Sequence, residues 1–488
     1  MENYKQLFVG GDLSGIQKFL YNISSKRAAV SLKGRSWYLR EYTEDVCNKL
    51  ADAVKLAGAT SVDVIYCSGG KFYFLTENGS TIIEAIDRCA KAVKKDLWKE
   101  HLGQLGINIA YVSFSENADG TVNTNGKLNL KPGELWRTVN AEFARQKNQK
   151  FKDIISEQFL QFFRPIPVGG KVRVCAITGI ESPDCVKLER DSDEDEDIMV
   201  LPSVKKQMLL GQRLRNVQGF KSFEDYADNT YLGILRMDVD GLGKRFIEGF
   251  DSIAQYRLFS NRLVNFFEKE VEVIQHDSEY RTFLNIIYAG GDDLFIVGRW
   301  DKLIDFAERI HQETVSRFKA DGISISGGVV MVKPKFPIAK AAELAGEAED
   351  AAKHFRDEKK NAFCLFGKTV SWENEFDYVK DFKDEFVRMI STFGISKSIL
   401  HKIMLYASMA ELNKKRKKKG QAEDFSYMWH ISYYMTRYME RYKTNAEVCT
   451  FCRNLRDREL TSNSGRNLEL IGLAARWAEL LLRDQNKQ

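Results

Sequence analysis

An internal repeat constrains this chain more than any other feature. The stretch "GGDLSGIQKF" (10–19) parallels "RMDVDGLGKRF" (236–246), and "YCSGGKFYFL" (66–75) parallels "YAGGDDLFIV" (288–297). In each copy an apolar strand leads into a Gly-containing turn, a helical stretch follows, and a strand–turn–strand hairpin comes next. Two such copies imply two sheets, each with helices packed on it, rather than one core. Aligning Phe19 with Phe246 sets Gly11 opposite Asp238. Aligning the paired glycines sets Lys71 and Phe72 opposite Asp292 and Asp293. The second copy then holds three carboxylates where the first holds Gly, Lys and Phe.

The chemistry of that difference points to metal. Gly290 and Gly291 supply the positive φ values of a tight hairpin turn, which places Asp292 and Asp293 just after the tip. Asp238 ends a strand, the usual edge of a site in an α/β sheet. If that strand neighbours the hairpin, three carboxylates converge, and divalent cations are the natural compensation. Mg²⁺ takes one or two carboxylates plus water and phosphate oxygens. A pair of such ions can activate a ribose hydroxyl and steady a leaving pyrophosphate. Asp240 is a weaker fourth candidate. The competing reading, an exposed acidic turn, fits "GGDD" alone. It fits less well with apolar strands on both sides, "MDVDG" upstream and a degenerate copy in the same chain.

The rest of the chain divides around the repeat. With 488 residues it is too long for one compact core. Residues 1–150 read as a first α/β domain and 226–372 as a second, closed by "NAFCLFG" (361–367). Residues 151–225 break the pattern with Cys175, Cys185 and the acidic run "DSDEDED" (191–197), which reads as a solvated loop. Residues 373–488 read as helices, with "NKKRKKKG" (413–420) between two of them as an exposed loop or a contact to a nucleic-acid backbone. A net charge of +5 permits nucleic-acid binding without arguing for it. The eight cysteines are scattered. Cys449 and Cys452 form the one Cys-x-x-Cys, and neither they nor Cys175 and Cys185 complete a four-ligand zinc site locally. Free thiols, no leader-length apolar run and no segment of membrane-spanning length make a cytoplasmic, membrane-free protein the expectation.

These motifs resemble the large subunit of type III CRISPR effector complexes, and within it the Csm-type branch. "YAGGDDLFIVG" with "RMDVDGLGKRF" resembles that family's polymerase/cyclase palm. "GGDLSGIQKFLYNISSKRAAVSLKGRSWYLRE" and "CSGGKFYFL" look like its degenerate first palm, and "YYMTRYMERY" falls in what looks like its C-terminal domain. The fold implied is α+β: two ferredoxin-like palms, a small linker domain and an all-α C-terminal domain. The function implied is target-RNA-activated synthesis of cyclic oligoadenylates from ATP through 3′–5′ phosphodiester bonds. Guide RNA, target RNA and the other subunits of the complex are the implied partners, and Mg²⁺ or Mn²⁺ the implied cofactor.

Carried over by residue, Asp238, Asp292 and Asp293 match the metal ligands. Gly290 and Gly291 would let phosphates approach. Ser14, Gly15, Gly69 and Gly70 would line the facing half of the nucleotide cleft, and Lys353 or Lys360 would contact triphosphate. Many members begin with an HD nuclease domain that cleaves single-stranded DNA. This chain starts at the first palm, so DNase activity from an HD site is not expected. Members often carry a four-cysteine zinc ribbon between the palms, and Cys175 and Cys185 alone in that region make zinc doubtful. Some relatives join ATP to S-adenosylmethionine instead. A non-catalytic RNA-binding scaffold is the reading from another class, and the intact carboxylates argue against it. The duplicated palm and the lack of Glu-Phe after the glycines disfavour a stand-alone diguanylate cyclase.

Overall fold

The structure, a computed structural model, describes residues 4–157, 159, 172–190, 196–228, 230–356, 360–459 and 465–484. The chain forms two compact units, residues 1–349 and 350–488.

In the first unit the repeat becomes two sheets of one topology. The first copy runs β1 (Gln6–Ser14), α1 (Ile16–Tyr21), α2 (Ala28–Leu56), β2 (Val62–Ser68), β3 (Lys71–Glu77), α3 (Ser80–His101) and β4 (Gly106–Glu116). Two short strands, β5 (Val122–Thr124) and β6 (Lys127–Leu130), extend the sheet to the order β2-β3-β1-β4-β5-β6. Helices α4 (Gly133–Lys147) and α5 (Lys152–Glu157) follow.

Two small hairpins link the copies. They are β7 (Arg173–Val174) with β8 (Glu181–Ser182), and β9 (Val186–Leu188) with β10 (Ile198–Val200). Helix α6 (Pro202–Gln218) then packs along α2. Of the acidic run expected at 191–197, residues 191–195 lie outside the described residues.

The second copy runs β11 (Leu232–Val239), α7 (Leu242–Glu248) and α8 (Ile253–Asn265), which continues through a π-turn (Phe266–Glu270) into α9 (Val271–Gln275). Then come β12 (Leu284–Gly290), β13 (Asp293–Gly298), α10 (Trp300–Phe318), β14 (Ile325–Val332) and α11 (Ile338–Lys353). Its strands lie in the order β12-β13-β11-β14, matching β2-β3-β1-β4. Both are ferredoxin-like palms, with the first strand of each copy central and antiparallel to both neighbours.

The central strands read as unbroken apolar runs because both of their faces are covered. Leu7, Phe8 and Val9 of β1 are all fully buried. Phe8 packs on Trp136 of α4, ring centroids 4.4 Å apart, and Trp136 stacks on Tyr256 of α8 at 3.9 Å. The first palm is thereby joined to the second through aromatic core. Truncating Trp136 to Ala would cost about 3–5 kcal/mol.

The second unit holds a hairpin, β15 (Ala362–Leu365) with β16 (Lys368–Ser371), formed by the expected closing strand and its successor. Among the described residues five α-helices follow: α12 (Asp377–Phe393), α13 (Ser398–Lys418), α14 (Ser426–Arg441), α15 (Ala446–Asn454) and α16 (Arg466–Asp484). Helix α16 packs on both α12 and α13. The lysine run expected as a loop is instead the last turns of α13, with Lys415, Arg416, Lys417 and Lys418 in the final turn. Lys is a good helix former, and cations there complement the helix dipole.

Candidate metal centre

Strand register brings the acidic residues together. β11 pairs with β13 so that Asp238 stands directly opposite Asp293. Cross-strand partners share a face of the sheet, where two like charges are unfavourable without compensation. A third carboxylate, Glu349, comes from α11. Ligand oxygens of Asp238, Asp293 and Glu349 all lie within 4.8 Å of one another. Glu349 is buried and the two aspartates are half-buried.

Arg236, two residues before Asp238 on β11, meets this charge. Its Nε lies 2.6 Å from Glu349 Oε2. Burial works against the Arg236 charge, yet Glu349, Tyr21, Asp293 and Asp238 hold its pKa above the ordinary value. The same field reaches nearby phenols. Burial first, then Asp293 and Asp292, push the Tyr288 pKa well up; burial and Asp292 do the same to Tyr66. Both stay protonated at neutral pH and offer no general base.

Asp292 has a different position from its neighbour. Gly290 is a strand residue paired with Asp293, so the two-residue turn is Gly291–Asp292. Gly291 has φ 68°, and the Asp292 carbonyl accepts from the Val239 N–H at 3.2 Å. This corrects the expected geometry by one residue: Asp292 sits in the turn and Asp293 opens the strand.

The internal alignment shifts as well. Leu13 N–H donates to the Gly70 carbonyl at 2.8 Å, just as Val239 does to Asp292. Each hairpin has its irregularity at the same place, Val64/Tyr66 and Ile286/Tyr288. Asp12 faces Lys71 as Asp238 faces Asp293. The counterpart of Asp238 is therefore Asp12, not Gly11, and those of Asp292 and Asp293 are Gly70 and Lys71. The first palm keeps one of the three carboxylates. It is 3% exposed, and Lys147 of α4 pairs with it at 2.6 Å.

The other expected residues fall into three places. Gly69, Gly70 and Gly290 line a cavity between the palms together with Lys33, Arg40 and Glu268. At its edge the two turns meet: a Cβ on Gly69 would lie 3.1 Å from Gly291 Cα, so glycine is required for the approach. Ser14 and Gly15 form the β1–α1 turn and do not line this cavity. A Cβ on Gly15 would lie 2.5 Å from the Gln104 carbonyl and 3.6 Å from Lys150 Nζ. Lys353 and Lys360 belong to the second unit, Lys353 as the last residue of α11 and Lys360 with φ 56°. Asp240 is engaged structurally, its Oδ2 accepting from Ser324 Oγ at 2.7 Å and Ser326 Oγ at 2.9 Å.

Glu349 is the residue that sequence reasoning missed. It sits in the Ala- and Glu-rich "AAELAGEAEDAAK", and its spacing to Gly346, which leaves room for Arg236, is visible only once the fold is known. Among the described residues, Asp238, Asp293 and Glu349 are the one group of three His, Cys, Asp or Glu side chains close enough to hold a metal. Their all-oxygen donor set suits a hard divalent cation such as Mg²⁺ or Mn²⁺. The chain does contain one His-Asp dipeptide, His276–Asp277, just past α9, where His276 Nδ1 lies 2.7 Å from the Glu272 carbonyl. Cys175 and Cys185 are buried free thiols of the linker hairpins.

Comparison with known proteins agrees with this architecture. Residues 5–165 match the model of the Csm1 subunit domain B, and residues 231–364 that of the second palm domain of Cas10/Cmr2. The chain is similar to the subtype III-A CRISPR single-strand-specific deoxyribonuclease Cas10/Csm1 of Enterococcus italicus. The two are 27% identical over 429 residues, 75% of this chain and 55% of the relative. The protein of the same name from Streptococcus thermophilus is 23% identical over 490 residues, 89% of this chain and 62% of the relative. The chain thus spans between 55% and 62% of the length of these relatives. In fold it is similar to the apo Csm1–Csm4 cassette, with TM-score 0.67 at 17% identity over 99% of this chain and 70% of that one. The cassette in complex with pppApApA gives TM-score 0.67 at 16% identity, covering 98% and 70%. The complex with cA4 gives 0.63 at 18%, covering 98% and 70%.

Proposed function

This chain belongs to the Cas10/Csm1 family of type III CRISPR large subunits, and from that premise we propose that its second palm is a nucleotidyltransferase that joins ATP into cyclic oligoadenylates. It does so within an effector complex whose guide RNA has captured a target RNA. The observation that carries the proposal is the convergence of Asp238, Asp293 and Glu349 at the tip of an intact palm, beside a turn of the degenerate one. Related cassettes that hold ATP, cA3 and cA4 support the nucleotide class.

Asp238 and Asp293 would hold a divalent cation, with Glu349 or Asp292 completing the set. A cation held there would supply acidification of the attacking ribose 3′-hydroxyl and neutralisation of charge on the α-phosphate and leaving pyrophosphate. The remaining work belongs to the protein. Arg236 pairs with Glu349 and orients it towards the aspartates. Gly69, Gly70, Gly290 and Gly291 add no side chains of their own at the seam, which would let phosphates approach backbone there. Ser14 and Gly15, with Lys150 nearby, offer a second phosphate contact on the first palm. Lys353 and Lys360 are assigned to triphosphate on family resemblance alone.

The test is the assembled complex supplied with target RNA, ATP and Mg²⁺ or Mn²⁺, its products identified by mass spectrometry. Cyclic oligoadenylates are expected from the parent. The paired substitution of Asp292 and Asp293 by Ala removes them and leaves RNA binding intact. An adduct formed only when S-adenosylmethionine is added would redirect the product assignment. Unchanged synthesis in the paired variant would sink the palm assignment.

A further inference from the structure

We propose that Arg40, Glu268 and Ser68 form a positioning relay by which the degenerate palm sets the geometry of the catalytic turn in the other. The inference rests on the reading of the second palm given above. Gly291 opens the turn whose next two residues are Asp292 and Asp293. In a two-residue turn this first N–H points away from the ladder and needs a partner if buried. Gly291 is buried, and its N–H donates to Ser68 Oγ at 2.8 Å. Ser68 is the last residue of β2 in the first palm and only 4% exposed. Its hydroxyl proton goes to Glu268 Oε1. The other Glu268 oxygen, Oε2, pairs with Arg40 NH2 at 2.6 Å, and the Glu268 side chain is 7% exposed. Arg40 belongs to α2.

The chain of contacts therefore starts on a first-palm helix and crosses to Glu268 of the second. It returns to Ser68 of the first and ends on the backbone of the carboxylate-bearing turn. Glu268 lies in the π-turn between α8 and α9, a local departure from helical winding of the kind often found at functional sites. The register gives Ser68 and Gly290 equivalent places in their hairpins. The degenerate palm thus has a hydroxyl where the other has none, and that hydroxyl points at its neighbour's turn. A shift of α2 pulls on Glu268 and is delivered to Gly291. In this proposal Arg40, Glu268 and Ser68 are positioning residues that act through the turn.

The relay is tested without catalysis first. Backbone hydrogen exchange of the peptide 286–295 is measured in the metal-free full chain, parent against Ser68→Ala. Exchange at Gly291 and Asp292 is expected to speed at least about 10-fold, with a smaller change in Arg40→Ala. Mn²⁺ titration should show weaker binding, about 5-fold for Ser68→Ala. In the complex, kcat should fall while the KM for ATP holds, and Ser68→Thr, which keeps the hydroxyl, should recover most of it. Slowed or unchanged exchange with parental Mn²⁺ affinity in both Ser68→Ala and Arg40→Ala overturns the relay. So does a loss of melting temperature with no local change at the turn. If the parent makes no nucleotide product but exchange and Mn²⁺ affinity still respond, the relay stands and the assigned reaction fails.

Discussion

The two palms share strand order, hairpin irregularity and the bond from the central strand to the turn, yet they treat charge in opposite ways. The first buries Asp12 and closes it off with Lys147 from α4. At the matching places it has Gly70 and Lys71. The second gathers Asp238, Asp293 and Glu349, with Arg236 in direct contact with the glutamate. One palm is electrostatically finished by its own side chains. The other gathers three carboxylates at one edge of its sheet, a donor set that a bound divalent cation would compensate. Duplication kept the frame in both, and the difference lies in a few side chains at one edge of the sheet.

The sharpest way to break this comparison is to remove one carboxylate from each palm. Asp293→Ala is expected to reduce product formation at least about 1,000-fold in the complex, since it removes a proposed metal ligand. Asp12→Asn should change the rate less than about 3-fold. A comparable loss from both would mean that the palms are not functionally distinct.

A second way is to try to reinstate the missing acids, with Gly70→Asp and Lys71→Asp together. No second metal site is expected. Gly70 has φ 80°, and a Cβ there would lie 2.3 Å from Ile16 Cδ1. The variant should instead lose about 2–3 kcal/mol by urea unfolding.

A smaller effect separates the palms by pH. His101 of the first palm is buried, with its ring Nε2 2.7 Å from Tyr38 Oη. Burial, then Arg35 and Lys206, lower its pKa to about 4. Between an unfolded value near 6.5 and that folded value, the unfolded chain binds the proton that the folded chain refuses. His101 therefore withdraws stability progressively as pH falls from 6.5 towards 4 and has no effect above. At pH 5 the loss is about 2 kcal/mol relative to pH 7. The loss of unfolding free energy between pH 7 and pH 5 should be larger in the parent than in His101→Gln by that amount. Equal losses in the two proteins would contradict the lowered His101 pKa.

Much of this was legible in the residues. The strands, the two hairpins and the asymmetry between copies follow from apolar runs, paired glycines and unpaired acids. The exact register did not, because the glycine pairs look equivalent and are not. One palm turns on Gly69 and Gly70, the other on Gly291 and Asp292. Tyr66 and Tyr288 carried the better alignment, each followed at the same distance by the turn. Glu349 was hidden because an acid in an Ala- and Glu-rich helix is ordinarily a solvated one. Its role depends on a helix–sheet packing that no local pattern encodes. The lysine run misled for the opposite reason: clustered charge suggested a loop, although lysine at a helix C-terminus is favourable.

Mn²⁺ binding to the full chain, followed by electron paramagnetic resonance, tests the central claim most directly. The account predicts binding in the parent that is retained in Asp12→Asn and lost in Asp238→Asn and in Asp293→Asn. Undiminished Mn²⁺ binding in both of the latter variants, or its loss in Asp12→Asn, would contradict it.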